Sequence, residues 1–291
     1  MSMVQMILSM VIFGTVGIVV SYIPMDATMI VALRALIGVF VMAVAMVLRR
    51  KSINRSAILQ NIWWLLLSGI CLSANWVLLF MSYSYTGSVA VSTVCYYMAP
   101  VFMMLLSPLV LRERLSGLRV FCVMIAVGGV ALLSFEDLTI GTGAQAFVGI
   151  LMALGAAVLY AAVVLINKVM KRLPSQEATF VQLLVAAVVM LPFAFLVQRE
   201  AIVLTVGSVV PMLILGVLHT GVAYMLFFGA AGKLSAQTTA LLSYLDPFVA
   251  VVLSALLLHQ QLGVLEIVGA SMILGAAFIG EAFGGKKKRK R

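Results

Sequence analysis

The sequence predicts an all-α integral membrane protein of ten transmembrane helices, arranged as two inverted five-helix repeats with both termini in the cytoplasm. Composition, the spacing of apolar runs and a repeated segment predict this fold. Of 291 residues, 64% are apolar and 10% are charged, whereas about 25% of the residues in soluble domains are charged. We therefore expect a multi-pass protein of the cell (cytoplasmic or inner) membrane, with the lipid bilayer as its surroundings.

The sequence contains ten apolar runs, and each of them is long enough to cross the membrane as a helix. About 20 helical residues, at a rise of about 1.5 Å each, span a hydrocarbon core about 30 Å thick. The first run lacks a basic n-region and a small-residue cleavage site, so it is expected to be a retained helix. We place the ten spans near residues 3–23, 27–48, 61–82, 88–111, 116–134, 146–169, 176–197, 207–229, 234–258 and 262–283.

The charged residues between the spans predict the orientation. Basic residues collect on the cytoplasmic side of multi-pass proteins. With the N-terminus inside, all nineteen basic residues except Arg34 and Arg199 fall in segments predicted to be cytoplasmic or at their membrane edge. The cytoplasmic set comprises Arg49, Arg50, Lys51, Arg55, Arg112, Arg114, Arg119, Lys168, Lys171, Arg172, Lys233 and the tail Lys286 to Arg291.

A segment in the middle of the chain occurs twice. Residues 96–111 return as residues 243–258, so that Tyr97 aligns with Tyr244 and Pro100 with Pro247. Equivalent spans are five apart, and an odd displacement turns the second copy upside down. We expect a first repeat at 1–139, a second at 140–283 and a basic tail at 284–291, which is either a topology signal or a contact with anionic lipid.

The residues around the first copy resemble a known family. The fourth predicted span carries Pro100, which is followed by Leu106-Ser107 and a leucine-rich end. The chain is similar to the drug/metabolite transporter superfamily, in particular to EamA-type permeases, in Tyr85-Thr86, Ser92-Thr93, Cys95-Tyr96-Tyr97, Ala99-Pro100 and Arg112-Glu113. The resemblance implies alternating-access transport of small organic solutes such as amino acids, amines, sugars or drugs. The second copy departs from the family, because Gln260 stands where a glutamate is usual.

Three ionisable residues fall inside predicted spans: Arg34, His219 and Asp246. A charge at the bilayer centre costs about 2.5 to 3.5 kcal/mol on insertion scales, so each is a functional candidate. Counting along the helices puts Arg34 and Asp246 about 4 Å apart in depth. They form either a buried ion pair between the second and ninth spans, or a site in which Asp246 binds a substrate amine or a coupling proton.

Polar and aromatic residues at similar depth complete the candidate substrate site. Tyrosine usually lies at the membrane interface, so hydroxyl-tipped rings near the midplane fit a cavity that accepts an organic solute. Packing is the alternative for each. The candidates are Asn75, Trp76, Thr93, Tyr96, Tyr97, Tyr160, His219, Tyr244 and Asp246, and Gln237 and Thr239 extend the path towards the cytoplasm.

These observations favour a secondary transporter that exports an amino acid or a related metabolite, with possible proton coupling. Import or facilitated passage of amines or drugs is the alternative within the same fold. An intramembrane enzyme or a scaffold is the alternative from another class, although no catalytic motif such as His-Glu-x-x-His occurs. We expect no enzyme activity, cofactor, metal site or nucleic-acid partner, and a homodimer stays open.

Overall fold

The computed structural model describes residues 1–48, 54–86, 89–133, 144–170, 172–197, 206–258 and 264–284. Every regular element in these ranges is a helix. The charged residues at 49–51, 136–137, 171, 199–200 and 286–291, which contribute to the predicted orientation, lie outside the described ranges, as does Gln260.

The helices follow one another with short connections. In the first part of the chain they are α1 (Ser2–Phe13), α2 (Val16–Ser21), α3 (Ala27–Leu48), α4 (Arg55–Gln60), α5 (Ile62–Thr86), α6 (Val89–Tyr96), α7 (Ala99–Leu111) and α8 (Gly117–Leu133). In the second part they are α9 (Ala144–Val169), α10 (Ser175–Val197), α11 (Val206–Ile214), a π-helical segment (Leu215–Val222), α12 (Ala223–Ala231), α13 (Ala236–Ser243), α14 (Leu245–Leu258) and α15 (Val264–Gly284).

Seven helical segments of the described chain are long and apolar enough to cross a membrane, and shorter apolar helices cover Gly117–Leu132 and Ile267–Gly280. Large apolar side chains stand on the outside of the bundle, among them Phe40, Trp63 and Leu109, which are 70%, 79% and 80% exposed. A surface with so many exposed large apolar side chains is compatible with contact to lipid and not to water. The prediction of an all-helical membrane protein is therefore confirmed.

One short helix was not among the predicted spans. It is α4, whose start is stabilised because the Asn54 side chain accepts a hydrogen bond from the Ala57 backbone N–H at 3.0 Å. Such capping satisfies one of the N–H groups that the first turn of a helix leaves without a partner. The carboxylate of Glu177 in α10 accepts from the Asn54 backbone N–H at 3.0 Å and ties α4 to the second half of the chain.

Several helices are interrupted near the centre of the bundle. Gly14 and Thr15 separate α1 from α2, Tyr97 and Met98 separate α6 from α7, and Tyr244 separates α13 from α14. Proline lacks an N–H and is tolerated in the first turn of a helix. Pro100 stands at the start of α7, and Pro247 occupies the matching place near the start of α14. The repeated prolines thus begin a new helix in each half.

Close helix pairs hold the bundle together. In the described chain α5 packs against α9, α3 against α10 and α8 against α15. A Cβ on Gly129 of α8 would lie 2.7 Å from the carbonyl oxygen of Gly269 of α15. Small residues let membrane helices approach in this way, and the gain is van der Waals contact along the whole crossing.

Candidate substrate site

The helix interruptions meet one another in the middle of the bundle. A Cβ on Gly14, in the α1–α2 break, would lie 3.0 Å from the backbone carbonyl oxygen of Asp246 and 2.8 Å from Cγ1 of Val249. The neighbouring Thr15 places its Oγ1 2.7 Å from the ring Nε2 of His219 in the π-helical segment. Because π-helical turns inside α-helices occur frequently at functional sites, this convergence marks the candidate site.

Arg34 of α3 lies at one side of this centre and is 4% exposed. Its Nε donates to the hydroxyl of Thr220 at 3.1 Å. Its guanidinium carbon lies 4.2 Å from the centroid of the Trp76 ring, which is a cation–π contact. In the part of the chain that the structure describes, Arg34 and Asp246 do not form a salt bridge with each other, so the predicted direct pair is not present in this conformation.

Trp76 packs against the ring of Tyr224. Its indole Nε1 donates to the hydroxyl of Tyr224 at 3.1 Å, and the two rings meet edge to face with centroids 5.7 Å apart. The adjacent Asn75 donates through its amide nitrogen to the carbonyl oxygen of Ala156 at 2.6 Å. Its Oδ1 is buried and has no hydrogen-bond partner among the described residues. A buried acceptor without a hydrogen-bond donor destabilises the fold until a donor reaches it.

His219 is fully buried and bonded on both sides of its ring. Besides Thr15, its Nδ1 lies 3.3 Å from the backbone carbonyl oxygen of Ile214. The Thr15 hydroxyl also lies 2.7 Å from the carbonyl oxygen of Ile12, and the tautomer of His219 decides which ring nitrogen donates. The histidine therefore joins α1 to the π-helical segment.

Asp246 stands in the first turn of α14, opposite the aromatic residues of α6. Its carboxylate is within hydrogen-bonding reach of the Tyr97 hydroxyl. Asp246 also interacts electrostatically with Tyr83, Tyr96 and Tyr160, which places all four tyrosines around it. This arrangement gives the carboxylate a wall of rings and hydroxyl groups.

The tyrosines around Asp246 form a connected aromatic surface. Ring centroids are 6.3 Å apart for Tyr96 and Tyr97, and 5.9 Å apart for Tyr96 and Tyr160. Tyr160 continues to Phe227 at 6.1 Å. Tyr96 also interacts electrostatically with Arg34.

Exposure divides the predicted site residues into two groups. Thr93, Tyr96, Tyr97, Tyr160 and Asp246 are only partly buried. Asn75, Trp76, His219 and Tyr244 are buried at 4% exposure or less and lie behind that group. We name the partly buried group the tyrosine–aspartate wall.

The two repeats are joined at equivalent residues. The hydroxyl of Tyr244 donates to the backbone carbonyl oxygen of Tyr97 at 3.0 Å. The free carbonyl arises because the helix stops at Tyr96 and begins again at Ala99. Each break therefore borders the other.

Sequence reasoning missed Tyr83, Thr220, Tyr224 and Phe227. Three of them share a helical face, since Thr220, Tyr224 and Phe227 follow one another at intervals of four and three residues. That spacing was the available signal. Tyr83 had no such signal, because its contact with Thr93 joins different helices.

One end of the bundle is closed by bonds between the two halves. The carboxylate of Glu113 accepts from the backbone N–H of Ala236, with both oxygens at 3.2 Å. The Gln237 side chain donates to the carbonyl oxygen of Arg114 at 2.8 Å and accepts from the N–H of Ser116 at 3.1 Å. We name these contacts the Glu113 clasp. It lies at the start of α13, below Tyr244.

A lysine strengthens the same end. The Nζ of Lys168 in α9 donates to the backbone carbonyl oxygen of Leu234 at 2.6 Å and also to that of Ala231. Cations near the last turn of a helix interact favourably with its unpaired carbonyl groups. Lys168 thereby fixes the turn between α12 and α13 to which the Glu113 clasp is attached.

The model of the EamA-like transporter family matches residues 1–135 and 147–280, nearly the whole chain in two stretches. The chain belongs to the EamA-like transporter family. The resemblance predicted from the sequence is confirmed, and membership identifies a membrane transporter of the drug/metabolite transporter type and not an enzyme. In this EamA-like transporter the tyrosine–aspartate wall spans both matched stretches, since Tyr97 belongs to one and Asp246 to the other.

Relatives of the EamA-like transporter are also described as transporters. The uncharacterized transporter YxxF of Bacillus subtilis (strain 168) is 29% identical over 272 residues, covering 91% of this chain and 86% of the relative. The uncharacterized transporter YwfM of the same organism is 28% identical over 276 residues, covering 93% and 90%. A solved crystal structure superposes with a TM-score of 0.85 at 17% identity, covering 96% of this chain and 98% of that one, which shows a shared fold.

Proposed function

We propose that this EamA-like transporter moves a small zwitterionic solute, an amino acid or a related metabolite, out of the cell by alternating access. The observation that carries the proposal is a cation and a carboxylate within the helix bundle, each with an aromatic neighbour and with no salt bridge between them among the described residues. Arg34 and Asp246 have separate partners, and Tyr96 interacts electrostatically with both. A solute with one carboxylate and one amine complements that arrangement.

Each side of the centre has a role in this proposal. The Nε of Arg34 is engaged by Thr220, which leaves the terminal nitrogens of the guanidinium to bind the solute carboxylate in a planar fork. Asp246 binds the solute amine, and Tyr97 orients the carboxylate. Asn75 is fully buried behind the wall, where its side chain is within hydrogen-bonding reach of Tyr96. The rings of Tyr96 and Tyr160 stack on the side chain.

In this proposal the chain crosses the inner membrane ten times, with repeats at 1–139 and 140–283. Both termini lie in the cytoplasm. Inverted repeats place substrate sites near the midplane, and transport follows when one repeat rocks against the other. The bond between Tyr97 and Tyr244 supports this reading, because it lies where the repeats meet. On this orientation the Glu113 clasp closes the cytoplasmic end.

Protons are the proposed coupling ion. Asp246 would release the solute amine when it takes up a proton, and it would bind a new solute after losing that proton. The lack of a direct Arg34–Asp246 salt bridge among the described residues supports this role, since a permanent ion pair would hold the carboxylate charged.

The test is a solute panel in proteoliposomes, with and without an imposed pH gradient. The wild type is expected to move an amino acid faster with the gradient, and Asp246→Asn is expected to lose at least tenfold of that gradient-driven rate. Asp26→Asn is the matched control, because Asp26 is exposed at the start of the second predicted span. If Asp246→Asn keeps the normal gradient response, proton coupling at this residue is wrong. If no solute moves, transport itself is refuted for the panel.

A further inference from the structure

The π-helical segment Leu215–Val222 joins α11 to α12 and packs against α3. The Thr220 hydroxyl donates to the carbonyl oxygen of Leu215, five residues back, at 3.0 Å. His219 follows the same spacing, since its Nδ1 lies 3.3 Å from the carbonyl oxygen of Ile214. A threonine hydroxyl in an α-helix reaches the carbonyl group three or four residues back, whereas backbone bonds in a π-helix span five residues. The bond from Thr220 therefore depends on the π-helical geometry.

Two glycines of the π-helical segment lie in close contact with α3. A Cβ on Gly216 would lie 2.5 Å from Cβ of Ile37, and a Cβ on Gly221 would lie 2.5 Å from Cγ1 of Val41. Ile37 and Val41 are one turn apart and share a face of α3. In an α-helix, by contrast, two residues five apart in sequence point about 140° away from each other. Both glycines face α3 because the turn between them is π-helical.

This contact holds Thr220 by both of its side-chain groups. Thr220 is fully buried, and a Cβ on Gly38 of α3 would lie 2.7 Å from its methyl carbon, so the methyl group occupies the space beside that glycine. Arg34 lies one turn before Gly38 on the same face of α3. Its Nε donates to the Thr220 hydroxyl at 3.1 Å, while the hydroxyl donates its own proton to Leu215. The acceptor that meets Arg34 is thus fixed in position and in direction.

The contacts of Arg34 with Thr220 and with Trp76 constrain it differently. The guanidinium carbon lies 4.2 Å from the centroid of the Trp76 ring. Attraction to the face of a ring holds a cation near that face but leaves it free to rotate there. A hydrogen bond requires alignment and weakens steeply at donor angles below about 120°. The bond to Thr220 therefore determines in which direction the terminal nitrogens of Arg34 point.

We propose that Thr220 is a positioning residue, which holds the Arg34 guanidinium in one orientation over Trp76 and thereby gives the transporter its requirement for a solute carboxylate. This role rests on the proposed function, in which Arg34 binds that carboxylate. A guanidinium forms two parallel hydrogen bonds with a carboxylate only when its planar fork faces the two oxygens. The π-helical turn then controls specificity without touching the solute, because Thr220 acts through Arg34.

The fluorescence of Trp76 tests the positioning without any solute. The chain has three tryptophans, so Trp63→Phe and Trp64→Phe leave Trp76 as the only one. A charge beside an indole ring shifts its emission, and Arg34→Gln gives the spectrum without that charge. Thr220→Val keeps the shape of the side chain without its hydroxyl group, and it should move the emission at least half of the way towards that of Arg34→Gln. Thr220→Ser keeps the hydroxyl group and should restore the wild-type spectrum.

Two further variants make this experiment specific. Gly38→Ala displaces Thr220 without altering it and should shift the emission in the same direction as Thr220→Val. Thr179→Val is the matched control, because Thr179 is also fully buried and bonds the carbonyl oxygen of Ser175 at 2.7 Å in α10; its spectrum should equal that of the wild type. The proposal is wrong if Thr220→Val or Arg34→Gln leaves the emission unchanged, or if Thr179→Val shifts it equally.

Transport kinetics test the specificity, with an amino acid and the matching amine that lacks the carboxylate. Thr220→Val should raise KM for the amino acid about tenfold, because a hydrogen bond to a charged group is lost. It should leave kcat unchanged and hardly affect the amine, and Thr220→Ser should restore KM. Equal changes for both solutes would show a merely structural role and overturn the proposal. If the wild type moves no amino acid, the proposed function and the specificity fail together, whereas the spectrum still decides whether Thr220 positions Arg34.

Discussion

Removing the Glu113 carboxylate should open the end of the bundle that the Glu113 clasp closes. Both carboxylate oxygens lie 3.2 Å from the Ala236 nitrogen, at the first residue of α13. Loss of a side chain that caps a helix start costs about 0.5 to 2 kcal/mol, and a charge near a helix N-terminus contributes about 0.3 to 1 kcal/mol. Because the two figures describe overlapping parts of one contact, Glu113→Ala should cost the closed form about 1 to 2 kcal/mol when the contact forms only there.

This cost predicts a definite shift between conformations. A difference of about 1 to 2 kcal/mol changes the ratio of open to closed molecules by about 5- to 30-fold. Glu113→Gln keeps an acceptor and loses the charge, so its shift should be smaller, about two- to fivefold. The expected order is wild type, then glutamine, then alanine.

Thiol labelling measures the shift. Thr239 is fully buried, one turn beyond Ser235 at the start of α13, so a cysteine there reacts only when that end opens. Thr239→Cys is introduced after Cys71, Cys95 and Cys122 are replaced by alanine, and a membrane-impermeant reagent is added from the cytoplasmic side. Its labelling rate should rise by the factors above.

The control for this experiment is Lys233→Ala, which removes an exposed charge close to the clasp and should leave the rate unchanged. An equal labelling rate in wild type and Glu113→Ala would refute the reasoning, because it would mean that the clasp forms in both conformations or in neither. A rise in both Glu113→Ala and Lys233→Ala would show general loosening and not a specific bond.

Two further predictions concern stability, measured as thermal unfolding in detergent. Tyr244→Phe removes the hydrogen bond that the Tyr244 hydroxyl donates to the Tyr97 carbonyl oxygen at 3.0 Å. It should destabilise the protein by about 1 to 3 kcal/mol, because a partly buried acceptor loses its donor; an unchanged unfolding temperature would contradict it. Gly129→Ala should cost about 1 to 3 kcal/mol, because its Cβ would meet the Gly269 carbonyl oxygen at 2.7 Å. In Gly128→Ala the new Cβ meets only a flexible methionine methyl group at 3.3 Å, so this control should change little, and equal losses in both variants would refute the steric argument.

The sequence predicted the helical membrane fold because long apolar runs and charge clusters are local features that need no knowledge of packing. The helix breaks were not predicted, because Pro100 and Pro247 were placed within single continuous spans, whereas the structure begins a new helix close to each of them. The partners of Arg34 were not predictable. Counting residues gives depth along a helix, but it gives neither the rotation of that helix nor its lateral neighbours. The structure therefore pairs Arg34 with Trp76 and Thr220, although Asp246 was expected at similar depth.

For the same reason, the sequence did not predict which site residues are partly exposed and which are buried. Tyr97 and Tyr244 are equivalent in the repeat, yet Tyr97 is partly exposed in the wall while Tyr244 is buried and donates to it. Sequence equivalence predicts similar backbone surroundings. It does not predict which of two equivalent side chains is partly exposed, because that depends on how the halves tilt against each other.

One difference between the two halves of the chain has a structural explanation. Asp246 aligns with Ala99, and Ala99 is 1% exposed in the packed core, whereas Asp246 is partly buried beside Tyr97. A carboxylate at the first position would be buried without need, at a cost of several kcal/mol. The asymmetry therefore confines negative charge to one side of the bundle centre. Arg34 lies apart from that carboxylate, beside Thr220 and Trp76.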